Sequence, residues 1–417
     1  MFRKDAAMSG QNRIIKNTAM LYIMNIAKLV FPLLTMPYLN RVLSIPAAAD
    51  YGFIKSTMTY VQLIIDFGFL LSATRDIAQA REDRAEVGRI TGHVMMAKGM
   101  LSLLALAVLA VMTLTIDRLH QNPVYTLLSF VQAVTTIFLV DFLFHGLEQM
   151  QVITIRYFIT RAITVCLTFL LIKDDGDLLL IPTLEILGNA VSIAWVWWEI
   201  HKMEIRVRIV SLKTTVAMLK ESFVYFLSDM ASTAFGALNT LIIGIVMVDR
   251  DIVIWGIAVQ FVSVVQMMYN PIINSIYPHM VREKNLSVIK KVLMIFVPLI
   301  VVGCIITFFG AELLVSILSS GKYPDAAPLL RWFIPLLFIS FPAMLFGWPV
   351  LGAIGKTRET TLTTIVAAAA QVLGLVVLLV VGQFTLFNLT MLRAATDLLM
   401  FLHRLWYCRK YRNEFAN

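Results

Sequence analysis

Charge is scarce in this chain. Of its 417 residues 15% are Asp, Glu, Lys or Arg, against about 25% in an ordinary soluble domain. Cysteine is scarcer still. Cys166, Cys304 and Cys408 are the only three, all in or beside apolar runs, so neither a disulfide framework nor a zinc cluster can be assembled. The six histidines stand singly, and there is no Gly-rich phosphate loop, HExxH or CxxC. These absences predict no cofactor, no metal and no enzyme chemistry. What the chain has instead is apolar surface: 59% hydrophobic residues and a mean hydropathy of +0.81. A soluble fold of this size could not hide that excess, and the same composition excludes disorder, collagen and coiled coil. The net charge of +9 therefore points to the lipid bilayer as partner, not to nucleic acid.

A bilayer-crossing helix needs about 20 mostly apolar residues, because the hydrocarbon is about 30 Å thick and each residue rises about 1.5 Å. That ruler predicts an all-α integral membrane protein of about twelve transmembrane helices. They fall near 18–38, 51–73, 92–115, 125–146, 158–172, 179–200, 221–246, 253–276, 292–318, 332–352, 360–381 and 387–403. The first is too long, and with Lys28 and Pro32 too polar, for a cleaved signal segment, so it is expected to remain as a helix. Alternate connections hold 24 of the 35 Lys and Arg residues, the other connections hold 6, and five lie within spans. Strict alternation of this kind is what the positive-inside rule gives when both termini are cytoplasmic. The basic stretch 201–220 divides the chain into an N-terminal lobe (1–200) and a C-terminal lobe (221–417). Each lobe has six spans, and the two are expected to be related by pseudo-symmetry about the membrane normal. No connection is long enough to hold a soluble domain.

Charged side chains are costly at mid-bilayer unless they face a bundle interior or water, so each is a candidate for function. The cations are Lys28, Lys55, Lys98, Arg161 and Arg393; the anions at comparable depth are Asp66, Asp141, Glu185, Asp229 and Asp397. Lys55, Thr59, Gln62 and Asp66 fall at intervals of 4, 3 and 4 and so share one helix face. Asn25 and Lys28 continue such a stripe in the first span, and Gln266, Asn270 and Asn274 in the eighth. Three long polar stripes predict a wet cavity lined by these residues. Isolated polar residues such as Gln132, Asn189 and Gln371 fit helix-to-helix hydrogen bonding better. Arg393 and Asp397, four apart, suit a local ion pair as well as a site. Asp141 and His145 suit a hydrogen-bonded structural pair. Lys28, Lys55, Lys98 and Arg161 have no such neighbour. Physics alone gives a two-lobed, polar-lined transporter.

Several blocks of sequence carry more. PLLTMPYLNRVL (32–43), YGF (51–53), DFGF (66–69), SATRDI (72–77), FHGLEQM (144–150), NP (270–271) and IYP (276–278) follow one another in order across most of the chain. Together they resemble the Wzx-type O-antigen flippases, polysaccharide transporters of the multidrug/oligosaccharidyl-lipid/polysaccharide superfamily. His145 and Gln149 depart from the family block around them.

The resemblance implies a two-lobe, V-shaped, MATE-like helical transporter of the bacterial inner membrane. Its substrate would be an undecaprenyl-diphosphate-linked oligosaccharide, moved from the cytoplasmic to the periplasmic leaflet through a cationic cavity. Lys28, Lys55, Lys98, Arg161 and Arg393 are the candidates for binding it. Asp66, Asp141, Glu185, Asp229 and Asp397 are candidates for ion coupling, with proton, sodium and no coupling all open. An O-antigen polymerase and a chain-length regulator are the partner proteins it implies. The alternatives are a drug or cation antiporter of the same superfamily and a membrane-embedded polysaccharide polymerase.

Overall fold

The computed structural model describes residues 10–208, 211–234 and 236–415. Its regular elements are helices. Residues 1–9, part of the basic segment expected on the cytoplasmic side, lie outside the described residues. The chain divides into two compact units, Met1–Asp229 and Met230–Asn417.

The first unit runs α1 (Gly10–Val42), α2 (Ile45–Asp66), α3 (Phe69–Gln79), α4 (Arg84–Thr115), α5 (Asp117–Gln121), α6 (Pro123–Thr135), α7 (Asp141–Gly146), α8 (Met150–Leu171) and α9 (Leu180–Lys202), and includes most of α10 (Leu212–Ala234). Local chemistry sets the starts. The Ser44 hydroxyl accepts from the Ala47 amide at 3.4 Å to begin α2, and the Asp83 carboxylate accepts from Ala85 and Glu86 at 2.9 and 3.1 Å to begin α4. Both satisfy amides that have no partner inside the helix.

Two spans break midway. Between α2 and α3 the chain turns through left-handed Phe67 (φ 43°) and Gly68 (φ 74°). Any β-carbon at Gly68 would lie 2.5 Å from Tyr225 Cβ, so both conformation and space demand glycine. Between α6 and α7, a 3-10 turn over Thr136–Leu139 ends at left-handed Val140 (φ 42°). The fifth span, short at 158–172 and so expected to start inside the preceding connection, does so. It begins at Met150 instead of 158, which draws Arg156 out of the expected connection and into the helix.

After α9 the chain crosses α4 in extended form. Added β-carbons at Gly88 and Gly92 would meet the Arg206 and Arg208 carbonyls at 2.1 and 2.3 Å, and the Arg208 amide donates to the Gly88 carbonyl at 3.2 Å. Ser222 then meets Ser72 at 2.7 Å, oxygen to oxygen, and His93 Nδ1 lies 3.0 Å from the Thr215 hydroxyl. These contacts tie the start of α10 to the first unit, and the division between the units falls after it.

The second unit comprises the end of α10, α11 (Ala237–Val246), α12 (Asp249–Glu283), α13 (Leu286–Ser319), α14 (Ala326–Trp332), α15 (Ile334–Leu345), α16 (Thr357–Val380) and α17 (Leu386–Lys410). A wide π-turn over Phe346–Leu351 follows α15, with Gly347 outside helical geometry (ψ −116°).

Among the described residues ten helices or helix pairs are long and apolar enough to cross a bilayer, eleven if α10 and α11 form one span. The remaining expected segment, 387–403, lies on α17. Its 25 residues are ample for a crossing, but Arg393, Asp397 and Arg404 lower its apolarity. The sequence placed Arg404 in a cytoplasmic tail; the structure buries it, 6% exposed.

Apolar side chains cover the outside: Leu114 is 77% exposed, Phe309 78% and Val380 81%. Such surfaces suit lipid tails and not water. Inside the first unit Phe69, Ile77, Phe142 and Phe144 form a fully buried core. Phe341, Leu345, Val350 and Leu351 do so in the second. In a membrane such cores are held by close packing and internal hydrogen bonds more than by exclusion of water.

Candidate functional site

The register of α8 against α9 builds the site. At Gly188 an added β-carbon would lie 3.0 Å from the Thr160 carbonyl, so the two helices approach backbone to backbone. The Thr160 and Ser192 hydroxyls lock that register at 2.6 Å. Asn189 donates to the Thr135 hydroxyl at 2.8 Å, fixing α6 alongside. One residue beyond Thr160, Arg161 faces Glu185, and its guanidinium donates to the carboxylate at 2.9 Å.

This pair lies in the wall of a cavity of about 210 Å³ within the first unit. Pro32 and Thr35 of α1, Tyr51 and Lys55 of α2, Tyr125 and Gln132 of α6, and Tyr157 of α8 share the lining. The Lys55 ammonium donates to the Tyr51 hydroxyl at 3.3 Å and stands 5.3 Å from that ring's centre. Lys28, one turn before Pro32, lies 5.9 Å from the centre of the Tyr157 ring, which also has the Arg161 guanidinium at 5.8 Å. Among the described residues neither Lys28 nor Lys55 forms an ion pair. Two cations and one carboxylate therefore line the cavity, with Lys28 close by.

The other expected charges are engaged. Lys98, buried on α4, reaches Asp66 at 2.7 Å, where Gln62 also donates at 2.8 Å. Gln62 further donates to Thr136 at 2.9 Å, so the polar stripe of α2 ends in a network at the break between α2 and α3. Asp141, at the other break, pairs with Arg156 at 2.7 Å. The Asp141–His145 pair expected from their spacing does not form; Arg156 takes the carboxylate because α8 starts early enough to bring it there. Arg393 and Asp397 pair on α17 at 2.9 Å. Asp229 is half-buried on α10, and Asn25 is exposed on α1.

In the second unit, Gln266, Asn270 and Asn274 follow one another along α12, accessible to different degrees. Gln371 bridges Asn239 and Thr396 at 3.1 and 2.8 Å, a helix-to-helix bond of the kind expected for it. Among the described residues no group of three or more His, Cys, Asp or Glu could hold a metal ion.

Arg156 is a buried charged residue that sequence reasoning left out, as is Arg404 in the second unit. The signal for Arg156 was a lone cation ten residues past Gly146, on the stretch into which the fifth span extends.

The chain is similar to known proteins. Residues 14–284 match the family model described as polysaccharide biosynthesis protein. A protein of Escherichia coli (strain K12) named "Putative O-antigen transporter" is 27% identical over 366 residues, 86% of this chain and 88% of that one. One of the same name from Shigella dysenteriae is 24% identical over 364 residues, 86% and 91% of the two chains. Among solved structures, an inward-facing multidrug resistance MATE family transporter of the MOP superfamily superposes with a TM-score of 0.69. That match has 11% identity and covers 94% of this chain and 96% of the other. The fold is thus that of the MATE transporters, and with the family model matching well over half its length, the chain belongs to the polysaccharide biosynthesis protein family.

Proposed function

We propose that the protein carries undecaprenyl-diphosphate-linked O-antigen repeat units from the cytoplasmic to the periplasmic leaflet of the bacterial inner membrane by alternating access. The observation that carries this reading is the cavity of the first unit. Three tyrosines offer faces and hydroxyls to sugar rings, and Lys55 and Arg161 offer charge-assisted hydrogen bonds to phosphoryl oxygens. A neutral metabolite would need no cation there, and a cationic drug would be repelled by an excess of one positive charge. Lys28, a turn away, gives the phosphate a second contact outside the cavity. An O-antigen polymerase would receive the flipped units, and a chain-length regulator would act with it.

The test is complementation. A strain lacking its own flippase, but assembling the matching lipid-linked unit, should regain surface polysaccharide and lose the units trapped in the inner leaflet. Normal insertion without restored polymer, together with efflux of a cationic dye, would favour the antiporter alternative that the MATE fold keeps in view.

A further inference from the structure

A site that receives an anion has no evident use for a carboxylate of its own, yet Glu185 lines this cavity beside Lys55 and Arg161. Its geometry is built and not incidental. Gly188 and the Thr160–Ser192 contact fix α8 on α9, and the pair forms at 2.9 Å one residue from that lock. Neither partner is sealed: the Arg161 side chain is 39% exposed and that of Glu185 28%. Arg161 Nη1 holds the carboxylate, while Lys55, in the same lining, holds only a phenol hydroxyl.

We infer that Glu185 is a built-in competitor for Arg161, a residue that sets specificity by being displaced. In the empty cavity it satisfies the guanidinium. A phosphoryl group of the ligand takes its place, since phosphate matches the planar fork of arginine with two parallel hydrogen bonds, and Lys55 supplies the further contact. A neutral sugar cannot displace the carboxylate and finds Arg161 closed. The exchange also keeps anion binding weaker than two free cations would make it, as a carrier that must release its cargo requires. This inference rests on the reading of the cavity as the ligand site.

The experiment uses the full chain in detergent micelles with inorganic pyrophosphate as the probe. Carboxyl groups are labelled with a water-soluble carbodiimide and glycine ethyl ester and read by peptide mass spectrometry. Pyrophosphate should raise the labelling of Glu185 in the unmutated protein. By equilibrium dialysis, Glu185→Gln should bind pyrophosphate about tenfold more tightly, and Arg161→Gln more weakly, than the parent. Labelling of Glu185 that stays level or falls overturns the inference, as does a Glu185→Gln protein of normal elution and melting that binds no tighter. The labelling arm needs no variant to fold. Displacement without polysaccharide export would overturn the transport reading alone; export without displacement would overturn the inference alone.

Discussion

Lys98 and Asp66, 32 residues apart in sequence, meet at 2.7 Å where α2 breaks from α3. The ammonium is nearly sealed, its side chain 9% exposed, whereas that of Asp66 is 42% exposed. The carboxylate is thus the accessible half of a pair whose other half is almost wholly buried. Removing one partner of a fully buried pair costs about 3–5 kcal/mol because a bare charge remains. Partial solvation should reduce this to about 1–2 kcal/mol for Asp66→Asn. Melting in detergent should show that loss, and Lys98→Met on the same background should recover most of it. An Asp66→Asn protein as stable as the parent would show that Lys98 finds its solvation elsewhere.

The cavity cations make a separate prediction about export. A hydrogen bond to a charged group contributes about 1.5–3 kcal/mol, or about 10- to 100-fold in an equilibrium. Lys55→Gln should cut polysaccharide export by that order while the protein still inserts and melts normally, and Lys55→Arg should keep most activity. Lys202, whose ammonium sits 3.0 Å over the Trp198 ring at the end of α9, is the control. If Lys202→Gln and Lys55→Gln fell equally, cavity position would have no bearing on transport.

Two glycines, one in the turn between α2 and α3 and one inside α4, should respond in opposite directions. At Gly68 alanine must adopt φ near +74° with its β-carbon 2.5 Å from Tyr225 Cβ, so α10 would be pushed away. Gly99 lies within α4 with nothing within 4 Å of an added β-carbon. Gly99→Ala should raise stability by about 0.5–1 kcal/mol, since alanine loses less backbone freedom on folding. Gly68→Ala should lower it by more than that. Equal melting temperatures for the two variants would contradict the left-handed turn.

How far sequence could foresee this depends on distance along the chain. The stripe from Lys55 to Asp66 was legible because helix periodicity is local, and the structure adds the Gln62–Asp66 hydrogen bond within it. The pairings Lys98–Asp66, Arg156–Asp141 and Arg161–Glu185 join different helices, separated by 32, 15 and 24 residues, and no spacing rule reaches across a bundle. The breaks at Phe67 and Val140 were hidden for another reason. Apolar residues hold the left-handed turns there, so only Gly68 marked one of them in sequence. Hydropathy located the spans, but it read Arg156 and Arg404 as belonging to connections because charge alone cannot distinguish a buried, bonded guanidinium from a solvated one.

Outside the spans, the carboxyl of Asp325 accepts a hydrogen bond from Arg250 at 2.7 Å, which holds it below the usual carboxylate range. A depressed folded value means that the stabilisation is present above the unfolded value of about 3.9 and is lost as pH falls through the lowered one. Both side chains are more than 40% exposed, so the contribution should stay within about 1 kcal/mol. Asp325→Asn should match the parent at the acid end and fall slightly below it at neutral pH, a difference that 1 M salt should shrink.

Arg404 supports the break in the second unit. The Ala343 carbonyl would, in an unbroken helix, accept from the Gly347 amide four residues on. Gly347 leaves helical geometry, and Arg404 donates to the Ala343 carbonyl beside that bend, at 2.5 Å. Its other nitrogens reach the hydroxyls of Thr363 and Thr364 at 3.0 and 2.9 Å, so one guanidinium joins α15, α16 and α17. A β-carbon at Gly347 would lie 2.8 Å from the same nitrogen that serves Ala343. Arg404→Lys keeps the charge but cannot reproduce the fork, and Arg404→Met removes three buried or part-buried hydrogen bonds, at a cost of about 1–3 kcal/mol. Both should lower the melting temperature, as should Gly347→Ala. Because Gly347→Ala acts through the same guanidinium, adding it to Arg404→Met should cost less than the sum of the two separate losses. Full additivity would mean that the bend does not depend on Arg404.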